Sequence, residues 1–267
     1  MKNSKLNNST KTTKRYSLTI GWLYPRLMST YGDRGNIIIL KNRLVRRGIG
    51  AKIEEIHPGA TKQKILSCDL IFMGGAQDAQ QEIVEQDLLK NTGKVIFQMV
   101  ENGTPALLVC GGYQFLGLYY MTASGKKIKG LGLLPLVTRN PGKEKRRLIG
   151  NVVIRPQLPN FPRDAFIVGF ENHGGRTYLT DSSDAFAHVV KGSGNNGEDG
   201  TEGVVYKNAI GTYLHGPILS KSPELADYIL RKALAKKYGN EMDLHPLDDK
   251  YAYTARNELV KKWYLSI

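Results

Sequence analysis

Strand-like segments alternate with amphipathic segments through the first half of this 267-residue chain. Four short segments are apolar or alternating, as expected for strands, and cover residues 17–24, 51–56, 69–75 and 105–110. Segments with helical spacing of apolar residues lie between and after them, at 35–50, 77–90, 93–103 and 112–120. Strands that alternate with helices predict βαβ units and therefore a parallel sheet.

The second half of the chain changes character, with strand-like segments close together at residues 146–156, 164–172, 185–191 and 203–216. They predict antiparallel strands attached to the parallel sheet, and the glycine-rich segment 192–203 is typical of a hairpin loop. A helix follows from Pro223, with Ser222 as its predicted cap and Gly239 as its end. We predict one α/β domain over residues 16–267, after a disordered basic leader at residues 1–15.

The net charge of +14 raises the question of an acidic partner. Five of these charges lie in the leader, and no aromatic residues interleave with the remaining basic runs to stack on bases. We therefore predict a solvated basic surface and no nucleic-acid partner. No apolar run approaches the roughly 18 residues of a membrane-spanning helix, and the leader has no apolar stretch typical of a signal sequence. These features predict a cytoplasmic protein.

The two cysteines, Cys68 and Cys110, are too few for a disulfide framework, and with five scattered histidines they lack the spacing of a metal site. Cys110 ends the apolar segment PALLVC and is followed by Gly111 and Gly112. A strand that meets a helix there would point backbone N–H groups at the sulfur and favour a thiolate. The pattern predicts a nucleophile elbow with cysteine in place of serine.

His215, in the segment GTYLHGPIL, is the best candidate base for this thiol. It follows a strand-like segment and precedes a Gly-Pro pair, which places it at a strand end, where functional groups of open α/β sheets collect. Acyl transfer also needs donors for an oxyanion. The N–H of Gly111 is one candidate, and that of Gly75 is another because it closes the segment expected to neighbour the strand of Cys110.

The segment CGGYQFLG resembles the nucleophile motif Cys-x-Gly-x-Gln of class I glutamine amidotransferases, with Cys110, Gly112 and Gln114 at the shared positions. Its extension and the segment YLHGP are similar to the cobyric acid synthase branch. Five ordered motifs most closely resemble the GatD-type glutaminase subunit of lipid II isoglutaminyl synthase: YGDRGNI, CGGYQFLG, RLIGNVVI, GFENHGGRTY and GTYLHGPIL. They extend from Tyr31 to Leu219, which is most of the chain.

The resemblance implies a Rossmann-like class I glutamine amidotransferase fold and hydrolysis of L-glutamine to glutamate and ammonia. Cys110 would attack the carboxamide, and His215 would protonate the leaving ammonia. In the family, the ammonia passes to a Mur-ligase-like partner of the MurT type in a heterodimer. That partner uses ATP and Mg²⁺ to amidate the D-glutamate α-carboxylate of lipid II to D-isoglutamine, a step of peptidoglycan synthesis. No cofactor is expected in this subunit, and the lipid-linked acceptor would bring it close to a membrane.

The resemblance also implies substrate-binding residues. Arg147 matches the glutamine-binding arginine, whose guanidinium can hold an α-carboxylate with two hydrogen bonds. The motif residue Gln114 is expected at the same site. Asn172, His173 and Gly174 are expected to border it, with His173 in a structural or positioning role.

The chain departs from the common pattern at Pro217, two residues after the histidine, where many class I relatives have a glutamate that orients the imidazole. Either the site works as a Cys–His dyad, or a carboxylate comes from Asp33, Glu171 or a partner. Three other functional readings stay open: an elbow-cysteine hydrolase that acts alone, an amidotransferase subunit with a different acceptor, and a non-catalytic basic binding module.

Overall fold

The computed structural model describes residues 16–181, 184–240 and 242–265. The leader at residues 1–15, predicted to be disordered, lies outside the described residues.

The central sheet has six strands, of which five are parallel and one edge strand is antiparallel. In spatial order they are β13 (Val204–Tyr206), β14 (Ala209–Thr212), β4 (Ala106–Val109), β3 (Leu70–Met73), β1 (Ser17–Leu23) and β2 (Gly50–Ile56). β3 and β4 are buried along their whole length, as expected for parallel strands covered on both faces. The mostly parallel α/β sheet predicted from the sequence is confirmed.

Helices connect the parallel strands and close the chain. They are α1 (Arg34–Val45), α2 (Lys62–Leu66), α3 (Asp78–Asp87), α4 (Gly93–Glu101), α5 (Gly111–Gln114), α6 (Pro223–Tyr238) and α7 (Lys250–Val260). π-Helical turns follow α3 at Leu88–Thr92 and α7 at Lys261–Leu265. The buried guanidinium of Arg43 in α1 donates to Asp227 of α6 and to Asp249 before α7, at 2.6 Å each. This network holds the C-terminal helices to the first helix.

Two smaller sheets complete the fold. One contains β10 (Arg176–Tyr178), β7 (Val137–Arg139), β5 (Tyr119–Met121) and β6 (Lys127–Lys129), and the other contains β12 (Thr201–Glu202), β11 (Ala187–Lys191), β8 (Leu148–Pro156) and β9 (Ile167–His173). All their pairings are antiparallel except that of β5 with β7. The glycine-rich segment 192–203 contains the connection between the antiparallel strands β11 and β12, as predicted, and also includes β12 itself.

Three local predictions differ from the structure. The helix predicted at 112–120 is only α5, because the chain turns at Gly117, where an added Cβ would lie 2.3 Å from Leu136 Cδ1. The segment 203–216 is a hairpin of β13 and β14 rather than one strand. Ser222 holds the N-cap position of α6, but its buried hydroxyl makes no capping hydrogen bond. Pro223 and the left-handed Gly239 stand at the two ends of α6, as predicted.

Candidate active site

The carboxyl ends of parallel strands meet at one edge of the central sheet and bring four predicted residues together. Asp33 lies in the loop after β1, Gly75 follows β3, Cys110 comes directly after β4, and His215 comes three residues after β14. A Cβ added to Gly75 would lie 2.8 Å from His215 Cε1 and 3.1 Å from Cys110 Cβ. The cysteine and the histidine therefore flank this glycine, although 105 residues separate them in the sequence.

Cys110 has the backbone geometry of a nucleophile elbow. Its φ of 52° and ψ of −105° are rare for a residue with a side chain, and the surrounding structure must hold them. Its N–H donates to the carbonyl of Thr212 at 2.8 Å, which ties the elbow to the chain that leads to His215. Gly112 is required behind it, because an added Cβ would lie 2.7 Å from the Met73 carbonyl oxygen. The thiol is free and 7% exposed.

His215 is fully buried and fixed from two sides. Its backbone N–H and carbonyl pair with Phe170 of β9 at 2.9 and 3.2 Å. Its Nδ1 lies 2.9 Å from Oδ1 of Asp33, which is itself fully buried. Nε2 has no hydrogen-bond partner among the described residues, so this nitrogen is left for Cys110 and a substrate. The carboxylate thereby fixes the tautomer and the ring orientation of the histidine.

The local sequence explains why the carboxylate comes from the loop before α1. Tyr31 and Gly32 both have positive φ values, 51° and 83°, and turn the chain towards Asp33. Pro217 packs against the first turn of α1, since a Cβ added to Gly35 would lie 2.3 Å from Pro217 Cγ. Pro217 thus makes a packing contact, and Asp33, which directly precedes α1, supplies the carboxylate that contacts the imidazole.

Glu171, the other internal carboxylate considered from the sequence, does not contact His215. Its two oxygens accept the backbone N–H groups of Ser193 and Gly194 at 2.9 Å each. Glu171 therefore holds the loop between β11 and β12, whereas Asp33 is the carboxylate that contacts the imidazole.

The surroundings of His215 favour its protonated form. Burial lowers the pKa of the imidazole, but the charge of the Cys110 thiolate and the hydrogen bond to Asp33 outweigh it and raise the pKa to about 10. At neutral pH the imidazole of His215 is therefore protonated.

The N–H of Gly75 is not available as the predicted oxyanion donor, because it donates to Oδ2 of Asp33 at 2.7 Å. Gly75 instead gives Asp33 a second anchor and leaves room for the histidine ring. Two other N–H groups, those of Ala76 and Gly111, have no acceptor among the described residues. They lie close together, since a Cβ added to Gly111 would lie 3.1 Å from the Ala76 nitrogen.

A polar cavity of about 520 Å³ opens beside Cys110. Its lining includes most of the substrate-binding residues predicted from the sequence: Gln114, Arg147, Asn172, His173 and Gly174. His215, Asp33, Gly75 and Gly111 do not line it. The cavity therefore exposes the sulfur to a ligand while the groups that act on the sulfur stay buried.

Of the two neighbouring arginines Arg146 and Arg147, only Arg147 lines the cavity. Arg147 lines the cavity and donates through Nε and Nη2 to Oδ1 of Asn172, at 3.1 and 3.0 Å. Arg146 is not among the lining residues, and its carbonyl accepts from the buried Arg176 at 2.5 Å. The guanidinium of Arg147 is exposed and held in place by Asn172, which suits a group that must meet an anion.

The inner wall of the cavity is a stacked and hydrogen-bonded layer. His173 stacks on Tyr213 with ring centroids 3.6 Å apart, and its Nδ1 lies 2.7 Å from the Gly175 carbonyl. Burial lowers the pKa of His173, so it is neutral. Gln114 donates to the Tyr213 hydroxyl at 3.2 Å and accepts from Gln81 at 3.1 Å. These residues shape the wall rather than present a charge.

Sequence reasoning did not single out several residues that line the cavity, among them Tyr31, Asp78 and Tyr120. Tyr31 packs edge-on against His215 with centroids 5.0 Å apart. Tyr31 and Asp33 both belong to the motif YGDRGNI, so the motif that pointed to the carboxylate could also have pointed to this tyrosine. Asp78 stands two residues beyond the GGA turn, and Tyr120 lay in the segment predicted to be helical.

The fold is that of glutamine amidotransferases. A solved structure described as a glutamine amidotransferase matches 80% of this chain and 98% of its own, with a TM-score of 0.56 and 16% identity. The arrangement of a cysteine elbow at the edge of a parallel sheet, with a histidine from a later strand, fits that class of enzyme.

Sequence comparisons give the family. The CobB/CobQ-like glutamine amidotransferase domain matches residues 19–223, so the chain belongs to this family and is an enzyme of the glutamine amidotransferase type. Over 236 residues it is 41% identical to the GatD subunit of glutamine-hydrolysing lipid II isoglutaminyl synthase from Streptococcus pneumoniae, covering 88% of this chain and 87% of that protein. The GatD subunit from Staphylococcus aureus is 39% identical, covering 92% and 96% of the two chains. The family resemblance drawn from the five motifs is confirmed.

Within the residues that the structure describes, no helix combines the length and apolar character needed to cross a membrane.

Proposed function

We propose that this chain is the glutaminase subunit of a lipid II isoglutaminyl synthase. It would hydrolyse L-glutamine and deliver the ammonia to a Mur-ligase-like partner of the MurT type. The observation that carries the chemistry is the contact of Asp33 with His215 beside Cys110, at the end of a polar cavity. The identity to two GatD subunits, over nearly their whole length, supports the acceptor and the partner.

Substrate binding begins with the two ends of the glutamine molecule. Arg147 holds the α-carboxylate in a charge-assisted pair, and Asn172 keeps the guanidinium in position. The side-chain carboxamide then reaches the sulfur of Cys110, beside the wall formed by Gln114 and His173. The absence of a side chain at Gly174 leaves space beside the guanidinium of Arg147, since an added Cβ would lie 3.3 Å from Nη1.

The thiolate of Cys110 attacks the carboxamide carbon, and a carbon–sulfur bond forms. The negative charge moves to the carboxamide oxygen, where the N–H groups of Ala76 and Gly111 stabilise it. The imidazolium of His215 gives its Nε2 proton to the amide nitrogen, the carbon–nitrogen bond breaks, and ammonia leaves. Neutral His215 then takes a proton from water, which attacks the thioester, releases glutamate and restores the thiolate–imidazolium pair.

Asp33 keeps the imidazole in the tautomer that presents Nε2 to the sulfur throughout these steps. The carboxylate is internal, so the orienting group need not come from a partner. ATP and Mg²⁺ act in the partner subunit, which activates the D-glutamate carboxylate of lipid II, and we assign no cofactor to this chain.

The transfer of nitrogen tests this function. The chain is co-purified with its Mur-ligase-like partner and given amide-¹⁵N glutamine, ATP, Mg²⁺ and lipid II, and mass spectrometry follows the label. We expect ¹⁵N in the lipid II stem peptide. A Cys110→Ser complex should lose this transfer but still amidate lipid II from added ammonium, because the synthetase half is unchanged. Glutamate release by the wild-type complex without any label in lipid II would contradict the proposed acceptor and leave the stand-alone hydrolase.

A further inference from the structure

The cavity beside Cys110 contains a second charged group that the chemistry above does not use. Among the described residues that line it, Asp78 alone carries a carboxylate, and it stands at the first position of α3. Arg147 lines the same cavity with a positive charge. A cavity with one guanidinium and one carboxylate is complementary to a zwitterion, as an α-amino acid is at neutral pH.

Asp78 is held in place by a short hydrogen-bonded chain. The hydroxyl of Tyr120 donates a hydrogen bond to Oδ1 of Asp78 at 3.0 Å. The same hydroxyl accepts a hydrogen bond from Nδ2 of Asn140 at 3.2 Å. Burial raises the pKa of Tyr120, so its proton stays on the oxygen and points to the carboxylate. Oδ2 of Asp78 has no hydrogen-bond partner among the described residues. One oxygen is thus used for positioning, and the other is free for a ligand.

The same chain leads to the arginine. A Cβ added to Gly174 would lie 2.5 Å from Asn140 Nδ2 and 3.3 Å from Arg147 Nη1. Asn140 and Arg147 therefore both border this glycine, and the wall continues from Asp78 through Tyr120 and Asn140 to the guanidinium. Both charges therefore belong to one continuous surface of the cavity.

We infer that Asp78 binds the α-ammonium group of L-glutamine, and that it makes the enzyme specific for a free amino acid over an amide that lacks the ammonium. This inference rests on the proposed glutaminase function and adds a specificity residue to it. Asp78 does not take part in the bond changes at the carboxamide. Its loss should therefore weaken binding of L-glutamine in the ground and transition states alike.

The test compares two substrates and three proteins. L-Glutamine and glutaramate, which is glutamine without its α-amino group, are given to the wild-type chain, to Asp78→Asn and to Glu82→Gln. Glu82 is the matched control, since it is a carboxylate one turn further along α3 that pairs with Lys126 at 2.7 Å and does not line the cavity. Steady-state kinetics give KM and kcat, and thermal unfolding checks that each variant is folded.

We expect Asp78→Asn to raise the KM for L-glutamine by roughly 10- to 100-fold, because a hydrogen bond between charged groups is lost. The kcat should stay within about threefold of the wild-type value. Hydrolysis of glutaramate should not fall, so the preference for L-glutamine over glutaramate collapses. Glu82→Gln should keep the wild-type preference. Tyr120→Phe keeps the carboxylate and removes only its positioning donor, so it should give a smaller rise in KM.

An unchanged preference for L-glutamine in folded Asp78→Asn would overturn the inference while the glutaminase function stands. An equal loss with both substrates would also overturn it, since it would assign Asp78 a structural role. If Asp78→Asn does not fold, Tyr120→Phe decides, because an unchanged substrate preference in that variant contradicts the chain of contacts. A wild-type chain and complex that hydrolyse neither substrate would overturn the proposed function itself.

Discussion

Asp33 is the carboxylate that contacts the candidate base His215 from within the same chain. It gives one oxygen to Nδ1 of His215 and the other to the N–H of Gly75, at 2.9 and 2.7 Å. Both oxygens of a buried carboxylate are thereby satisfied, and the imidazole is aligned with its free nitrogen towards the thiol. The sequence left Asp33 and Glu171 open, because only tertiary structure brings a residue 182 positions away to the histidine.

The Asp33→Asn variant tests this role through the pH dependence of the reaction. Asp33 raises the pKa of His215, so its removal should lower that pKa. The wild-type kcat/KM should fall on the alkaline side near pH 10, where the imidazolium loses the proton that ammonia needs. We expect Asp33→Asn to move this alkaline limb to lower pH and to reduce kcat by roughly 10²- to 10⁴-fold.

The control for that experiment is Glu171→Gln, which removes a buried carboxylate that does not contact His215. This variant should have a lower free energy of unfolding, but the alkaline limb of its kcat/KM profile should stay at the wild-type pH. An alkaline limb that stays in place in Asp33→Asn would show that another group sets the pKa of the histidine.

At the scale of elements, the strand that delivers His215 is fixed by a buried carboxyl on β12. Oε1 of Glu202 accepts the hydroxyl of Thr212 at 2.6 Å and the N–H of Tyr213 at 2.7 Å. Oε2 has no partner among the described residues. Burial, opposed by these hydrogen bonds, raises the pKa of Glu202 to about 7. The antiparallel sheet thus contacts the parallel sheet just before His215.

This raised pKa predicts a dependence of stability on pH. The folded state favours the protonated carboxyl, so the chain should lose stability as the pH rises through the ordinary carboxyl range, with the full cost present above pH 7. Glu202→Gln stays neutral. Between pH 4.5 and pH 8, we expect the free energy of unfolding of the wild type to fall by on the order of 3 kcal/mol relative to that of this variant. Urea unfolding at the two pH values measures the difference.

The exposed Glu198→Gln, from the same loop region, is the control and should show no such pH-dependent difference from the wild type. A stability difference between wild type and Glu202→Gln that stays constant with pH would contradict the assigned ionisation.

Elements with a strong local pattern could be predicted, and those that depend on distant contacts could not. The apolar segments LIFM and ALLV predicted β3 and β4, and Pro223 and Gly239 predicted the ends of α6. The segment FLGLYY has helical apolar spacing, but Gly117 packs against Leu136 and the chain turns into β5. Cys110 and His215 could be proposed from the sequence because each carries a local motif, whereas Asp78 becomes a candidate only from the cavity that it lines.

At the scale of the whole molecule, the parallel sheet and two antiparallel sheets together build one site. The sheet edge carries Cys110 and His215, and the antiparallel parts contribute Arg147 and one wall of the cavity beside them. Arg43, through its contacts with Asp227 and Asp249, fixes α1 against the C-terminal helices, and the same helix begins directly after Asp33. The two cysteines occupy different parts of this architecture, which makes them a natural pair for comparison.

The central claim is that this protein hydrolyses glutamine through Cys110, and glutamate release by three forms of the chain tests it most directly. Wild type, Cys110→Ser and Cys68→Ser are compared at equal concentration with L-glutamine. Cys68 is buried, burial raises its pKa to about 11, and it does not line the cavity. We predict that Cys68→Ser stays within about threefold of wild type and that Cys110→Ser loses at least roughly 10³-fold. Comparable losses from the two variants, or undiminished glutamate release by Cys110→Ser, would contradict the account.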